Sequence, residues 1–174
     1  MNNLLELLIN NIININFSIN FKHDVGGKDW IYGGFFDEDS IKRVVAYREG
    51  GRWVSLPISF YKGSFAWDIE MYGDTLYIGG SFGEIKLDKD TSKAIPPTAL
   101  LKWFNDSLWV APPQIYGVKD MTVSGDSLLI WGSSYYNPPQ QIIYQKFMTS
   151  NGGVTWHYPY SDVHPTETSS NFGG

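Results

Sequence analysis

The chain has no cysteine, which excludes disulfides, thiol chemistry and cysteine-zinc centres and leaves the compartment open. It has only three arginines, Arg43, Arg48 and Arg52, and no basic block. Its net charge is −5, from 13 Lys+Arg against 18 Asp+Glu. A nucleic-acid or anionic-membrane partner therefore has no electrostatic footprint. No Lys or Arg precedes Lys22, and the apolar start MNNLLELLINN has no small-residue cleavage site, so it does not read as a secretory signal. The apolar run 4–9 is too short to span a bilayer, and no membrane insertion is expected. Helical periodicity is almost absent as well. Aromatic residues, by contrast, are abundant: 7 Trp, 11 Tyr and 10 Phe among 174 residues. Such a load needs a packed environment, which a chain of this length can build as one sizeable core.

A repeat organises the sequence. GKDWIYGGFF (27–36), GDTLYIGGSF (73–82) and GDSLLIWGSS (125–134) align, with Gly33-Gly34 over Gly79-Gly80 and over Trp131-Gly132. Each is followed by an apolar run, an aromatic, a polar turn, and then a Trp with a nearby Pro. The runs are VVAYREGGRWVSLP, LLKWFNDSLWVAPP and IIYQKFMTSNGGVTWHYP, and the closing tryptophans are Trp53, Trp109 and Trp156. A period near fifty residues with short strands fits propeller blades better than helical solenoids.

The strand pattern agrees. Alternation of Ile13, Ile15, Phe17, Ile19 and Phe21 with polar residues predicts a half-buried strand, continued by strands at 28–36, 42–48 and 52–56. The middle unit predicts strands at 68–72, 75–82, 99–104 and 107–111, with turns at Gly73-Asp74 and Asn105-Asp106. The last predicts 119–123, 127–133, 141–148 and 154–158. Proline after each closing strand suits a sheet edge, because it cannot donate to a ladder. Paired glycines in the inner strands permit close backbone approach. The expected fold is an all-β partial β-propeller of about three four-stranded antiparallel blades. An N-terminal segment covers 1–12, blades cover 13–57, 58–113 and 114–159, and 160–174 is a polar tail or the start of a further blade.

A hydrophobic strand ending in Gly-Gly, followed by an aromatic and then a Trp, resembles the kelch or galactose-oxidase-type propeller repeat. TSNGGVTW (149–156) resembles the Asp box of sialidase-type propellers, [Ser/Thr]-x-[Asp/Asn]-x-Gly-x-[Ser/Thr]-Trp. The likeness spans roughly 13–159 and implies a blade-based, mainly binding protein, extracellular or at the cell surface by analogy. Propellers have about four to eight blades, so three imply a piece of a longer chain or ring closure between copies. The Asp box implies a peripheral turn in which Asn151 bonds its own backbone, two glycines supply positive φ, and Trp156 packs beneath.

The chemistry that the resemblance brings to mind is thinly supplied. A sialidase needs three arginines from different blades, yet all three here lie on one predicted hairpin, where successive residues advance only about 3.3 Å. Glycoside hydrolysis needs two carboxylates at a set separation. Asp68 and Asp120 align between units and are the candidates, with Glu70 and Glu84 beside them; the plainer role for each is to bond a local backbone amide. Asp37, Asp39, Asp88 and Asp90 are hard oxygen ligands for Ca²⁺, but they lack an Asp-x-Asp-x-Asp-Gly ladder and read as solvated turns. His23, His157 and His164 are scattered, so no metal and no cofactor is expected.

The aromatics carry the remaining signal. Trp53, Trp109 and Trp156 repeat and are assigned to the core between sheets. Trp30, Trp67, Tyr116, Tyr135 and Tyr136 do not repeat, and packing explains them less. The segment SSYYNPPQQ (133–141) is the expected contact surface. The expected function is a non-catalytic propeller-repeat module that binds protein or carbohydrate through Trp67, Tyr116, Tyr135, Tyr136, Asp68 and Asp120. The alternative is a fragment of a propeller glycoside hydrolase without a complete active site.

Overall fold

The structure is a computed structural model that describes residues 19–110, 115–136 and 141–157. The protein is all-β, with four antiparallel sheets and no helix among the described residues. Fourteen strands follow in order. They are β1 (Ile19–Val25), β2 (Lys28–Phe36), β3 (Lys42–Glu49), β4 (Arg52–Ser55), β5 (Ile58–Phe60), β6 (Phe65–Tyr72) and β7 (Thr75–Phe82). Then come β8 (Ile85–Leu87), β9 (Asp90–Ile95), β10 (Thr98–Phe104), β11 (Ser107–Val110), β12 (Gly117–Ser124), β13 (Ser127–Tyr136) and β14 (Gln141–Thr149). The sheet orders are β1-β2-β3-β4, β6-β7-β10-β11, β12-β13-β14 and a small β5-β8-β9 sheet.

The hairpins follow from their turn residues. Glu49 pairs with Arg52 across Gly50-Gly51, and Phe104 with Ser107 across Asn105-Asp106. Both central residues of each turn have positive φ, which matches the right-handed twist of the flanking strands and selects glycine, asparagine or aspartate. Residues 13–18 of the first predicted strand lie outside the described residues, and β1 begins at Ile19.

Two features differ from the sequence expectation. The β5-β8-β9 sheet uses segments that read as loop and Asp-rich turn, because β5 and β8 are only three residues long and the mostly polar DTSKAI of β9 shows no usable alternation. The fourth strand of the last sheet is reduced, among the described residues, to one bridge between Met148 and His157. Residues 151–155 close on themselves as a compact turn, so Val154 and Thr155 are not free to extend a strand.

The described residues divide into two compact units. One holds the chain up to Trp67 together with Phe82–Pro97, the other Asp68–Ser81 together with the chain from Thr98 on. In the first unit Ile31, Phe35 and Ala46 form a buried cluster, with Ile19, Phe21 and Trp53 packed against it. In the second, Tyr77, Leu100, Val118, Met121, Leu128, Ile130 and Phe147 form the larger core. Strands β3, β7 and β10 bury successive residues, such as Val44-Val45-Ala46 and Leu76-Tyr77-Ile78, so both faces of these strands are covered. Strand β13 instead alternates, with Leu128 and Ile130 buried and Leu129 and Trp131 partly open.

Candidate functional site

The site builds from the turn after β2. Asp37 Oδ1 accepts the backbone N–H groups of Asp39 at 3.1 Å and Ile41 at 2.8 Å, an Asx-type turn. Its other oxygen accepts from Arg43 Nε at 2.7 Å. Arg43 Nη1 reaches Asp88 at 2.7 Å and lies 3.5 Å from the Leu56 carbonyl. Arg43 is buried, so its guanidinium is matched by two carboxylates, one from the β2–β3 turn and one from the β8–β9 turn. Asp37 and Asp88, two of the four aspartates that read as solvated turns, are therefore paired with Arg43 in a network that holds the 37–39 turn in place.

Beside that turn is a cavity of about 270 Å³ lined by Phe35, Ala46, Trp53, Ser55, Asp37, Glu38 and Asp39. The β3–β4 register builds its floor: Ala46 pairs with Ser55, and Trp53 lies two residues before Ser55 on the same face. Glu38 and Asp39 are exposed and make no ion pair among the described residues. One wall is thus an indole and one rim is carboxylate. No group of three or more His, Asp or Glu among the described residues is placed to hold a metal ion.

The acids singled out from the sequence have different environments. Asp68 is buried, and its carboxylate accepts the amides of Ile69 at 2.8 Å and Met121 at 2.7 Å. Met121 lies on the outer strand β12, just past a bulge at 118–120, so Asp68 satisfies an edge amide of the neighbouring sheet. Asp120 is exposed. Of the arginines, Arg43 is buried in ion pairs, while Arg48 and Arg52 are exposed beside the 50–51 turn. They do not converge on one substrate position.

The aromatics divide similarly. Trp30 is buried and donates its indole N–H to the Val25 carbonyl at 2.8 Å. Trp67 is 41 % exposed and Tyr116 53 %. Tyr135 and Tyr136 belong to β13, paired with Ile142 and Gln141, while 137–140 and the side chains of both tyrosines lie outside the described residues. Trp53 and Trp156 pack against the two cores, but Trp109 is 60 % exposed on the edge strand β11. Its position in the repeat matches theirs; its surroundings do not. The cue to the Trp53 pocket was present in the sequence as FDEDS and GRWVS, yet only sheet register brings them together.

The glycine pairs have close neighbours. A Cβ on Gly34 would meet Lys42 Nζ at 2.7 Å and the Ser64 carbonyl at 3.3 Å, and one on Gly79 would overlap Val118. Gly33 has a φ of 141°, and Gly80 is buried in β7. The turn at 149–155 closes through alternate residues. Asn151 Oδ1 accepts from the Thr155 amide at 3.0 Å and the Thr149 hydroxyl at 3.0 Å; its amide donates to Thr155 Oγ1 at 2.7 Å. Lys102 Nζ donates to the Gly152 carbonyl at 2.6 Å, and burial holds the Lys102 pKa below its ordinary value. Beside it the Tyr77 phenol is pushed up to about 12, chiefly by burial and then by Tyr72, so it stays neutral.

Asn151→Ala should lower stability by about 1–2 kcal/mol, the scale of a small set of local hydrogen bonds. A urea melt checks this, and ligand binding by the folded variant should be unchanged. No match to this chain is found among protein-family models, curated proteins or solved structures.

Proposed function

We propose that the chain is a non-catalytic binding module made of propeller-type blades, and that the Trp53 pocket is where it holds its ligand. Support for the blade reading comes from the fifty-residue repeat, the serial antiparallel hairpins, and the glycines that admit close neighbours in β2 and β7. The observation that carries the function is the pocket itself: an aromatic wall and a polar rim on a turn held rigid by Arg43. A small concavity that joins an aromatic face to convergent polar groups is a common form of a recognition site. The hydrolase reading has less support, because both oxygens of Asp68 are engaged by backbone amides.

Peptide and glycan arrays test the proposal. The chain should bind at least one of the two classes, and Ser55→Tyr, which fills the pocket, should abolish that binding without lowering the melting temperature. Binding indifferent to Ser55→Tyr, or no binding to either array, would overturn it.

A further inference from the structure

We propose that the Trp53 pocket takes a lysine or arginine side chain presented by a polypeptide. The inference rests on that pocket being the ligand site and names its ligand class. Three observations point the same way. First, the rim can almost only accept hydrogen bonds. Carboxylates have no donors when ionised, and the Ser55 hydroxyl and the Trp53 indole N–H are the side-chain donors in the lining, against three carboxylates. A sugar hydroxyl both donates and accepts, and a neutral glycan would meet a wall short of donors. An ammonium or guanidinium only donates, and it matches this lining.

Second, the charge is uncompensated. Arg43 answers Asp37 and Asp88, and this leaves Glu38 and Asp39 without an ion pair among the described residues. Their field adds to that of a chain whose net charge is −5. An exposed like-charge pair beside a cavity attracts a cation and is screened by salt. Third, the cavity has an indole in its lining, and tryptophan is the strongest aromatic partner of a cation. About 270 Å³ suits one long side chain.

The test is an NMR titration of ¹⁵N-labelled protein, following the Trp53 indole N–H, assigned with Trp53→Phe. The probes are Nα-acetyl-lysine methylamide, Nα-acetyl-arginine methylamide, the corresponding glutamine compound, and a neutral glucose tetrasaccharide. The two cationic probes should shift the signal saturably and the neutral ones should not. Glu38→Gln/Asp39→Asn should weaken the cationic probes by about tenfold or more, as should raising salt. Both side chains are exposed and make no hydrogen bond or ion pair among the described residues, so the variant keeps its fold, which the rest of the spectrum verifies. A saturable shift by the tetrasaccharide with none by the cations, or cation binding unchanged in the variant, would overturn the inference and leave the pocket as a binding site. Silence from every probe would overturn the inference, while the arrays and Ser55→Tyr decide separately whether the pocket is a binding site.

Discussion

Arg43→Met is expected to destabilise the protein by about 3 kcal/mol, measured by urea unfolding. The methionine fills much of the same volume but leaves Asp37 and Asp88 facing each other without a cation. Breaking a buried ion pair by removing one partner costs about 3–5 kcal/mol, because the remaining charge is stranded. The lower end applies because the Asp37 and Asp88 side chains retain 20 % and 32 % exposure, and solvent screens them. If stranded charge is the cause, adding Asp37→Asn and Asp88→Asn to Arg43→Met should recover about 1 kcal/mol or more, whereas the same pair in the wild-type background should destabilise. A triple variant no more stable than Arg43→Met would contradict this account. The variant should also weaken binding at the Trp53 pocket, since Asp37 loses the partner that fixes the turn bearing Glu38 and Asp39.

Gly79→Ala is the other large effect. The added Cβ would stand 2.8 Å from Val118 Cβ and 3.2 Å from Met121 Cε, in a core where Val118 is fully buried. Packed interiors do not yield at this distance, and overpacking of this kind costs about 3 kcal/mol or more when no flexible group can move. The strands that would have to separate are β7 and β12, which lie in adjacent sheets of the second unit. Val118→Ala removes the γ carbons but not Cβ, so it should relieve only part of the clash. In thermal or urea melts the double variant should be less destabilised than the sum of the single variants. Strict additivity would show that the glycine is not there to admit Val118.

Much of the local architecture was legible. Turn dipeptides such as Gly50-Gly51 and Asn105-Asp106 marked hairpins because few residues tolerate positive φ, and the apolar runs between such turns placed most of the strands to within a few residues. Legibility failed where local pattern was weak or where distant segments meet. The strands at 58–60 and 85–87 are too short to show a period. Trp109 occupies the same place in its repeat as Trp53 and Trp156 yet is exposed, because burial depends on what covers an edge and not on the repeat. Arg43 and Asp88 are 45 residues apart in the chain, and no local signal links them.

By itself, then, the sequence determined an all-β chain of serial antiparallel hairpins, because backbone sterics and the two-residue side-chain period are local properties. It also determined the turn at 149–155, whose own bonds join residues four or fewer apart. Only the tertiary structure decided that Asp68 serves an edge amide and that Asp37 and Asp88 clasp an arginine. It alone set Trp53 beside Glu38 and Asp39 around one cavity. A carboxylate has the same chemistry in a solvated turn, an ion pair or a pocket rim, and only its neighbours in space choose among them.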